Sequence, residues 1–133
     1  MTNIMQPIYH KHPHKVDKPW GYELWWGNTK DYLGKLLCIK AGHQSSVHFH
    51  QYKAESMYVY AGIMALEIYE LQGDMAVPVK VKTFTLGPGE SIDIPPGCIH
   101  SIVAKADLDL FEASTPYPKD SIRVFDPYDR DES

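Results

Sequence analysis

Residues 42–62, GHQSSVHFHQYKAESMYVYAG, decide the fold and the candidate chemistry of this chain of 133 residues. His48 and His50 are two residues apart, so both imidazoles leave a β-strand on the same side. Glu55 follows a short polar stretch, and residues 56–62 are typical of a second strand that ends in a glycine turn. Two histidines and a carboxylate that converge from adjacent strands would form a facial set of metal ligands.

A second stretch, residues 87–104 (GPGESIDIPPGCIHSIVA), supplies His100 as a fourth candidate ligand. A lone His-x-His pair lies more often on a packed or exposed strand than in a metal site. The spacing of glycine, histidine, glutamate and proline in both stretches favours the metal site, because two motifs in a fixed order are a more specific signal than a lone His-x-His pair.

Together the two stretches resemble the two motifs of the cupin superfamily, in the order in which cupins carry them. The first match comprises Gly42, His48, His50, Glu55 and Gly62, and the second comprises Gly89, Pro95, Gly97 and His100. The second motif usually ends in asparagine, and Ala104 stands at that position here. The resemblance implies an all-β, single-domain cupin fold (a double-stranded β-helix or jelly-roll barrel) whose metal ligands are His48, His50, Glu55 and His100.

The rest of the chain favours the same architecture. Many short strands punctuated by glycine and proline indicate an antiparallel barrel or a jelly roll, and no long stretch has helical periodicity. Residues 1–17 are predicted to form an N-terminal arm, either flexible or an edge strand, and residues 18–133 the cupin domain. The polar, proline-rich segment from residue 115 is expected to form a short helix or to wrap around the barrel.

Composition narrows the class of protein. A net charge of −4 argues against nucleic acid as a partner, and no apolar run is long enough to span a bilayer. The N-terminus lacks the apolar core of a signal peptide, and two cysteines are too few for a disulfide scaffold. We therefore expect a cytoplasmic protein with reduced cysteines, no membrane partner and a small molecule as its ligand.

The segments that flank the motifs resemble the cupin domain of type II phosphomannose isomerases, from about Val16 to Arg130. The matching residues are Pro19, Trp20, Gly21, Lys35, Glu112, Asp120, Ile122, Arg123, Asp126, Tyr128 and Arg130. Two positions depart from that family: His48 stands where glutamine is common, and Lys53 where arginine is common. Lysine keeps the positive charge of arginine but lacks its planar fork.

This resemblance implies a metal-dependent isomerase that interconverts an aldose and a ketose, with mannose 6-phosphate as the first candidate substrate. Glu112 and Lys35 are then the catalytic candidates, Glu112 for proton transfer, and Lys53 and Arg123 are the candidates for binding the substrate. Imidazole and carboxylate ligands suit divalent zinc, manganese, iron, cobalt or nickel. The resemblance also implies a homodimer, with the N-terminal strands as its contact.

Other interpretations stay open at this point. The same ligands would serve a small iron-dependent dioxygenase, and a sugar-binding cupin without catalysis would need only the cavity. Lys35 points either into the cavity or to solvent, and Arg123 either contacts the substrate or forms a surface ion pair. Glu112 either transfers a proton or orients a ligand histidine.

Overall fold

The computed structural model describes residues 7–130, which form eleven β-strands and no helix. The strands are β1 (His14–Lys18), β2 (Gly21–Asn28), β3 (Leu33–Ile39), β4 (Val47–His50), β5 (Glu55–Ala61), β6 (Met64–Gln72), β7 (Val77–Leu86), β8 (Ser91–Ile94), β9 (Ile99–Ala104), β10 (Leu108–Ser114) and β11 (Ser121–Phe125). Within this part of the chain, no helix is long and apolar enough to cross a membrane.

Two antiparallel sheets face each other. The first has the strand order β1-β2-β3-β10-β5-β8, and the second has the order β11-β4-β9-β6-β7. Large apolar side chains from both sheets, including Leu37, Leu110, Leu66 and Ile102, form one buried core between them. The predicted all-β jelly roll is therefore confirmed.

Alternation along the strands decides which side chains enter the interior. In β10, Leu108, Leu110, Glu112 and Ser114 are buried, whereas the residues between them are half-buried or exposed. Because opposite residues of an antiparallel pair point to the same face, the partner of Glu112 on β3, Lys35, also points inward. The register thus carries ionisable side chains into the interior.

Gly62 shows why the first motif ends in glycine. It lies in the turn between β5 and β6 with φ of +91°, a conformation that residues with a side chain rarely adopt. A Cβ at this position would collide with the backbone carbonyl of Asp107. Only glycine therefore allows this turn to pass so close to the neighbouring segment.

Both ends of the described chain form edge strands. Residues 14–17 belong to β1 and pair with β2. The sequence assigned them to the N-terminal arm, and of its two alternatives, a flexible segment or an edge strand, the edge strand applies to these residues. Residues 121–125 form β11 and pair with β4, where a short helix or a wrapping segment was expected. The division of the chain at residue 18 stays a prediction, and residues 1–6 of the arm lie outside the described part.

Candidate metal centre

Three histidines from the second sheet meet inside the barrel. His48 and His50 lie on β4, and His100 lies on β9 directly opposite His48. Their ligand nitrogens all lie within 4.8 Å of one another. The two imidazoles of the His-x-His pair therefore leave β4 on the same side, as the spacing predicted, and this side faces the interior.

Glu55 completes the cluster from the opposite sheet. Its Oε1 lies 3.1 Å from Nε2 of His100, and its Oε2 lies 3.6 Å from Nε2 of His50. The sequence placed Glu55 on a strand adjacent to the histidines, but β5 belongs to the first sheet and β4 to the second. The loop between them crosses from one sheet to the other, so the carboxylate approaches the histidines across the interior.

Each histidine is oriented through its other ring nitrogen. Nδ1 of His48 lies 2.8 Å from the carbonyl oxygen of Ser46, and Nδ1 of His100 lies 2.8 Å from that of Cys98. A carbonyl oxygen only accepts a hydrogen bond, so Nδ1 carries the proton in both rings. Nδ1 of His50 donates to Asp120 in the same way, at 3.1 Å. All three Nε2 atoms are thus left to bind a metal.

The polar atoms at the centre lack hydrogen-bond partners. Nε2 of His100 and both carboxylate oxygens of Glu55 are buried without a hydrogen bond, since their short contacts do not have hydrogen-bond geometry. Buried polar groups are rarely left in this state, because losing water without a new partner is costly. A divalent metal would accept lone pairs from all of them. The residues present therefore fit a metal ion.

The pKa values follow from this crowding. Burial, together with the neighbouring His100 and His50, lowers the pKa of His48 to about 3, which keeps it neutral. Burial also opposes a charge on His100, but its hydrogen bond to the Cys98 carbonyl and the negative charge of Glu55, 3.1 Å from Nε2, together outweigh burial and raise the pKa of His100 to about 9. The buried Glu55 nevertheless has a pKa well below its usual range, because His100 and Lys53 stabilise its negative charge. A proton on His100 thus occupies the position that a metal would take.

Lys53 joins the cluster to a second buried carboxylate. Its Nζ lies 3.1 Å from Oε2 of Glu55 and 3.1 Å from Oε2 of Glu112. Burial, and then the negative charge of Glu55, raise the pKa of Glu112 above its usual range. Burial opposes the charge of Lys53, but Glu112 and Glu55 together outweigh it and raise the pKa of Lys53. The ammonium group of Lys53 thus forms ion pairs with two carboxylates in the interior.

The structure also places the two remaining candidates. Lys35 points inward, with Nζ 3.7 Å from Oε1 of Glu23 and 4.1 Å from the ring centroid of Trp25. Arg123 lies on β11 opposite His48 and is half-buried. All four residues predicted for catalysis or substrate binding, Lys35, Lys53, Glu112 and Arg123, therefore belong to the interior or its edge. Their roles stay predictions.

Asp120 is part of the site although the sequence did not assign it a role. Besides His50, it accepts hydrogen bonds from the backbone N–H groups of Tyr52 and Lys53, both at 2.8 Å. It therefore holds the loop between β4 and β5 as well as a ligand histidine. The only sequence signal was its place in the C-terminal pattern of the flanking resemblance.

Comparison with known proteins supports the fold. No family model matches the sequence, and a search of curated proteins found no match. A structure of an RmlC-like cupin from Shewanella frigidimarina superposes with a TM-score of 0.65 at 18% identity, covering 90% of this chain and 98% of that one. A KdgF structure from Halomonas sp. superposes with a TM-score of 0.64 at 20% identity, covering 80% and 91%.

A third neighbour is a sugar phosphate isomerase of the cupin superfamily from Silicibacter pomeroyi. It superposes with a TM-score of 0.57 at 20% identity, and the match covers 73% of this chain and 60% of that one. At such identities the similarity shows the fold alone. The chain thus has the single-domain cupin fold, with a cluster of three histidines that could bind a metal.

Proposed function

We propose that the protein is a metal-dependent isomerase that interconverts an aldose and a ketose, with mannose 6-phosphate and fructose 6-phosphate as the first substrate pair. One observation carries this proposal: the cluster of three histidines that could bind a metal lies beside Glu112, a buried carboxyl group whose pKa is raised above its usual range. The ligands would be His48, His50, Glu55 and His100, and the metal zinc, manganese, iron, cobalt or nickel.

Isomerisation needs a proton moved between two neighbouring carbons. A bound metal supplies a Lewis acid that polarises the sugar carbonyl. Glu112 removes the proton from C2 of the aldose and returns it to C1, and its raised pKa makes its carboxylate a stronger base for the first step. Lys53 lies 3.1 Å from Glu112 and stabilises the carboxylate form. Lys35, opposite Glu112, and Arg123, opposite His48, would bind charged or hydroxyl groups of the sugar.

Proton NMR of mannose 6-phosphate in deuterated water tests the proposal, after elemental analysis has identified the bound metal. We expect the C2 proton signal of the substrate to fall while fructose 6-phosphate appears with deuterium at C1. Glu112→Gln should retain the metal and lose this exchange. No exchange with any aldose or aldose phosphate would contradict the proposal.

Two further measurements on the same protein, oxygen consumption and sugar binding, test the two alternative functions. Bound iron, oxygen consumption with a thiol or diketone substrate and no sugar exchange would favour the dioxygenase. Saturable binding of sugar without turnover would favour a binding protein. Both results would contradict the isomerase.

We also propose that the protein is a homodimer in which a second copy covers the outer face of the first sheet, the sheet that contains the N-terminal strands β1 and β2. Trp26, Tyr58, Tyr60 and Phe111 are exposed on this face, between 37% and 64%. Trp26, Tyr58 and Phe111 line a groove of about 560 Å³. A continuous apolar patch of this kind usually marks an interface. Light scattering should show a dimer that Phe111→Glu converts to a monomer, and a monomeric wild-type protein would contradict this.

We place the protein in the cytoplasm. Cys38 and Cys98 are both free thiols, which suits a reducing compartment. Fractionation of the native cells with an antibody against the protein would test this location.

A further inference from the structure

Within residues 7–130, four buried side-chain atoms have no hydrogen-bond partner. Three of them belong to the candidate metal centre: Nε2 of His100 and the two carboxylate oxygens of Glu55. The fourth is Oγ of Ser114, a residue that is 9% exposed and that lies outside both sequence motifs. A bound metal accounts for the first three atoms. Ser114 needs a separate explanation, because burying a hydroxyl group without a partner is costly.

Ser114 faces the interior beside Glu55. It is the last residue of β10, and the alternation of that strand places it on the inward face. The register pairs it with Glu55 on β5 and with Leu33 on β3. Opposite residues of an antiparallel pair point to the same face, with Cβ atoms roughly 4.5–5.5 Å apart. The hydroxyl group therefore lies next to the side chain of a candidate metal ligand.

The neighbouring backbone hydrogen bonds indicate a close approach of these two side chains. In the next pair along the two strands, the backbone N–H of Thr115 donates to the carbonyl of Ala54 at 3.1 Å, and the backbone N–H of Ala54 donates to Oγ1 of Thr115 at 3.0 Å. Hydrogen-bonded and non-hydrogen-bonded pairs alternate along an antiparallel ladder. Ser114 and Glu55 therefore form a non-hydrogen-bonded pair, the kind in which the side chains lie closer together.

Glu55 is the neighbour of Ser114 whose acceptor atoms are not used. The side chain of Leu33, on the other flank of Ser114, has no acceptor. Glu112, two residues earlier on the same face of β10, already accepts a hydrogen bond from Lys53 at 3.1 Å through Oε2. Neither carboxylate oxygen of Glu55 accepts a hydrogen bond from the described residues. A serine hydroxyl supplies one donor, which is what this carboxylate lacks.

The Glu55 carboxylate also needs a group that fixes its orientation. It lies between two histidines, with Oε1 3.1 Å from Nε2 of His100 and Oε2 3.6 Å from Nε2 of His50. Lys53 attracts Oε2, but its Nζ is shared at the same distance of 3.1 Å with Glu112. A carboxylate can bind a metal ion through one oxygen or through both. A hydrogen bond to one oxygen would leave the other as a single, oriented ligand atom.

We propose that Ser114 is a positioning residue of the metal centre, whose hydroxyl group donates a hydrogen bond to the Glu55 carboxylate when a divalent metal is bound. This inference rests on the proposed function only for the metal site and does not require that the protein be an isomerase. Ser114 acts through Glu55 and contacts neither the metal nor the sugar.

Cobalt(II) is the probe, titrated into the chelator-treated, full-length protein and followed by its visible absorption, which reports both affinity and coordination. Ser114→Ala should weaken cobalt binding about tenfold, the lower end of the effect of losing an outer-sphere partner. It should also change the absorption bands, because the carboxylate becomes free to bind through both oxygens. Ser114→Thr keeps the hydroxyl group and should restore both properties. Equal affinity and identical spectra for wild type and Ser114→Ala would overturn the proposal.

Ser56→Ala is the matched control. Ser56 follows Glu55 directly in the sequence, but its hydroxyl group lies on the outer face of β5 and donates to Asp93 at 2.6 Å. Its loss should leave the cobalt affinity and spectrum like those of the wild type. An equal effect of Ser56→Ala and Ser114→Ala would show that any change beside Glu55 weakens binding and would overturn the specific role of Ser114.

The stability of the metal-free protein separates positioning from packing. Ser114→Ala removes a hydroxyl group without a partner, so its midpoint of urea unfolding in the presence of chelator should not fall below that of the wild type. Ser101→Ala is the opposite case, because this buried hydroxyl group donates to the carbonyl of Ser45 at 3.0 Å, and its loss should lower the midpoint. An equal fall for both variants would show that Ser114 stabilises the fold and would overturn the proposal.

Turnover separates this inference from the proposed function. Cobalt affinity that depends on Ser114, in a protein that does not isomerise any sugar, would support the inference and contradict the isomerase. Isomerase activity together with a cobalt affinity that is unchanged in Ser114→Ala would support the isomerase and overturn the inference.

Discussion

The interior of the barrel has an apolar end and a polar end, and the same strands contribute side chains to both. At one end the inward side chains are apolar, and they include Leu37, Ile39, Val59, Ile102, Leu108 and Leu110. At the other end, β3, β5, β9 and β10 instead contribute Lys35, Glu55, His100 and Glu112. Within each of these strands the change takes place over a few residues.

The difference between the ends separates stability from function. Burying an aliphatic side chain stabilises the fold by roughly 1.5–3 kcal/mol. Burying a charge costs free energy that its partner only partly offsets. The apolar end therefore stabilises the barrel, whereas the polar end is retained for what it binds. Substitutions at the two ends should then have different consequences.

The largest effect is expected for His100→Ala at the polar end. Loss of one ligand should weaken metal binding by more than about a hundredfold, the upper limit for loss of an outer-sphere partner. The metal-free variant should be less stable than the metal-free wild type, because the buried Glu55 carboxylate loses the imidazole 3.1 Å away that stabilises its charge. Metal analysis and thermal unfolding after chelation check both parts. Stoichiometric metal in the variant would contradict the ligand assignment.

Leu110→Ala at the apolar end is the counterpart. Leu110 is 0% exposed, so its truncation leaves a cavity and should destabilise the protein by about 2–5 kcal/mol. Urea unfolding measures this loss. Titration of the folded variant should give a metal affinity close to that of the wild type. A large loss of affinity would show that the two ends are coupled.

The sequence predicted the fold and the meeting of the three histidines better than the surroundings of those histidines. Local spacing was sufficient for His48 and His50, because two strand residues share a face whatever the strand pairs with. The approach of Asp120 to His50 joins residues 70 positions apart, and no local pattern specifies it. The contact between Lys53 and Glu112 likewise joins distant residues, because β10 pairs with β5 and brings Glu112 beside Lys53. Such contacts depend on strand order, which periodicity does not encode.

Asp120→Asn tests whether the C-terminal segment supports the polar end. The amide keeps the shape of the side chain but weakens the acceptor that orients His50. Metal affinity should fall about 10–100-fold, as is typical for the loss of such a partner. Calorimetric titration of metal into the variant measures this change. An unchanged affinity would show that the backbone alone orients His50.

Asp126→Asn is the matching change for the apolar end, and its effect should be the smallest. Asp126 accepts hydrogen bonds from the side chain of Arg130 and from the backbone N–H of Tyr128, a residue that packs against the apolar core. The Arg130 hydrogen bonds are the main reason that the pKa of Asp126 is lowered to about 2. We expect a stability loss of about 1 kcal/mol near neutral pH, since Arg130 is partly exposed.

The pH dependence of that loss identifies its origin. A carboxyl whose folded-state pKa is lowered stabilises the protein above its unfolded-state pKa, near 3.8, and this contribution disappears as the pH falls towards 2. Denaturant unfolding of the metal-free proteins should therefore show a difference between wild type and variant that is constant above about pH 5 and shrinks below about pH 4. Metal affinity at neutral pH should not change, because Asp126 contacts the segment that covers the apolar end. A difference that persists unchanged in acid would mean that shape, and not charge, makes Asp126 stabilising.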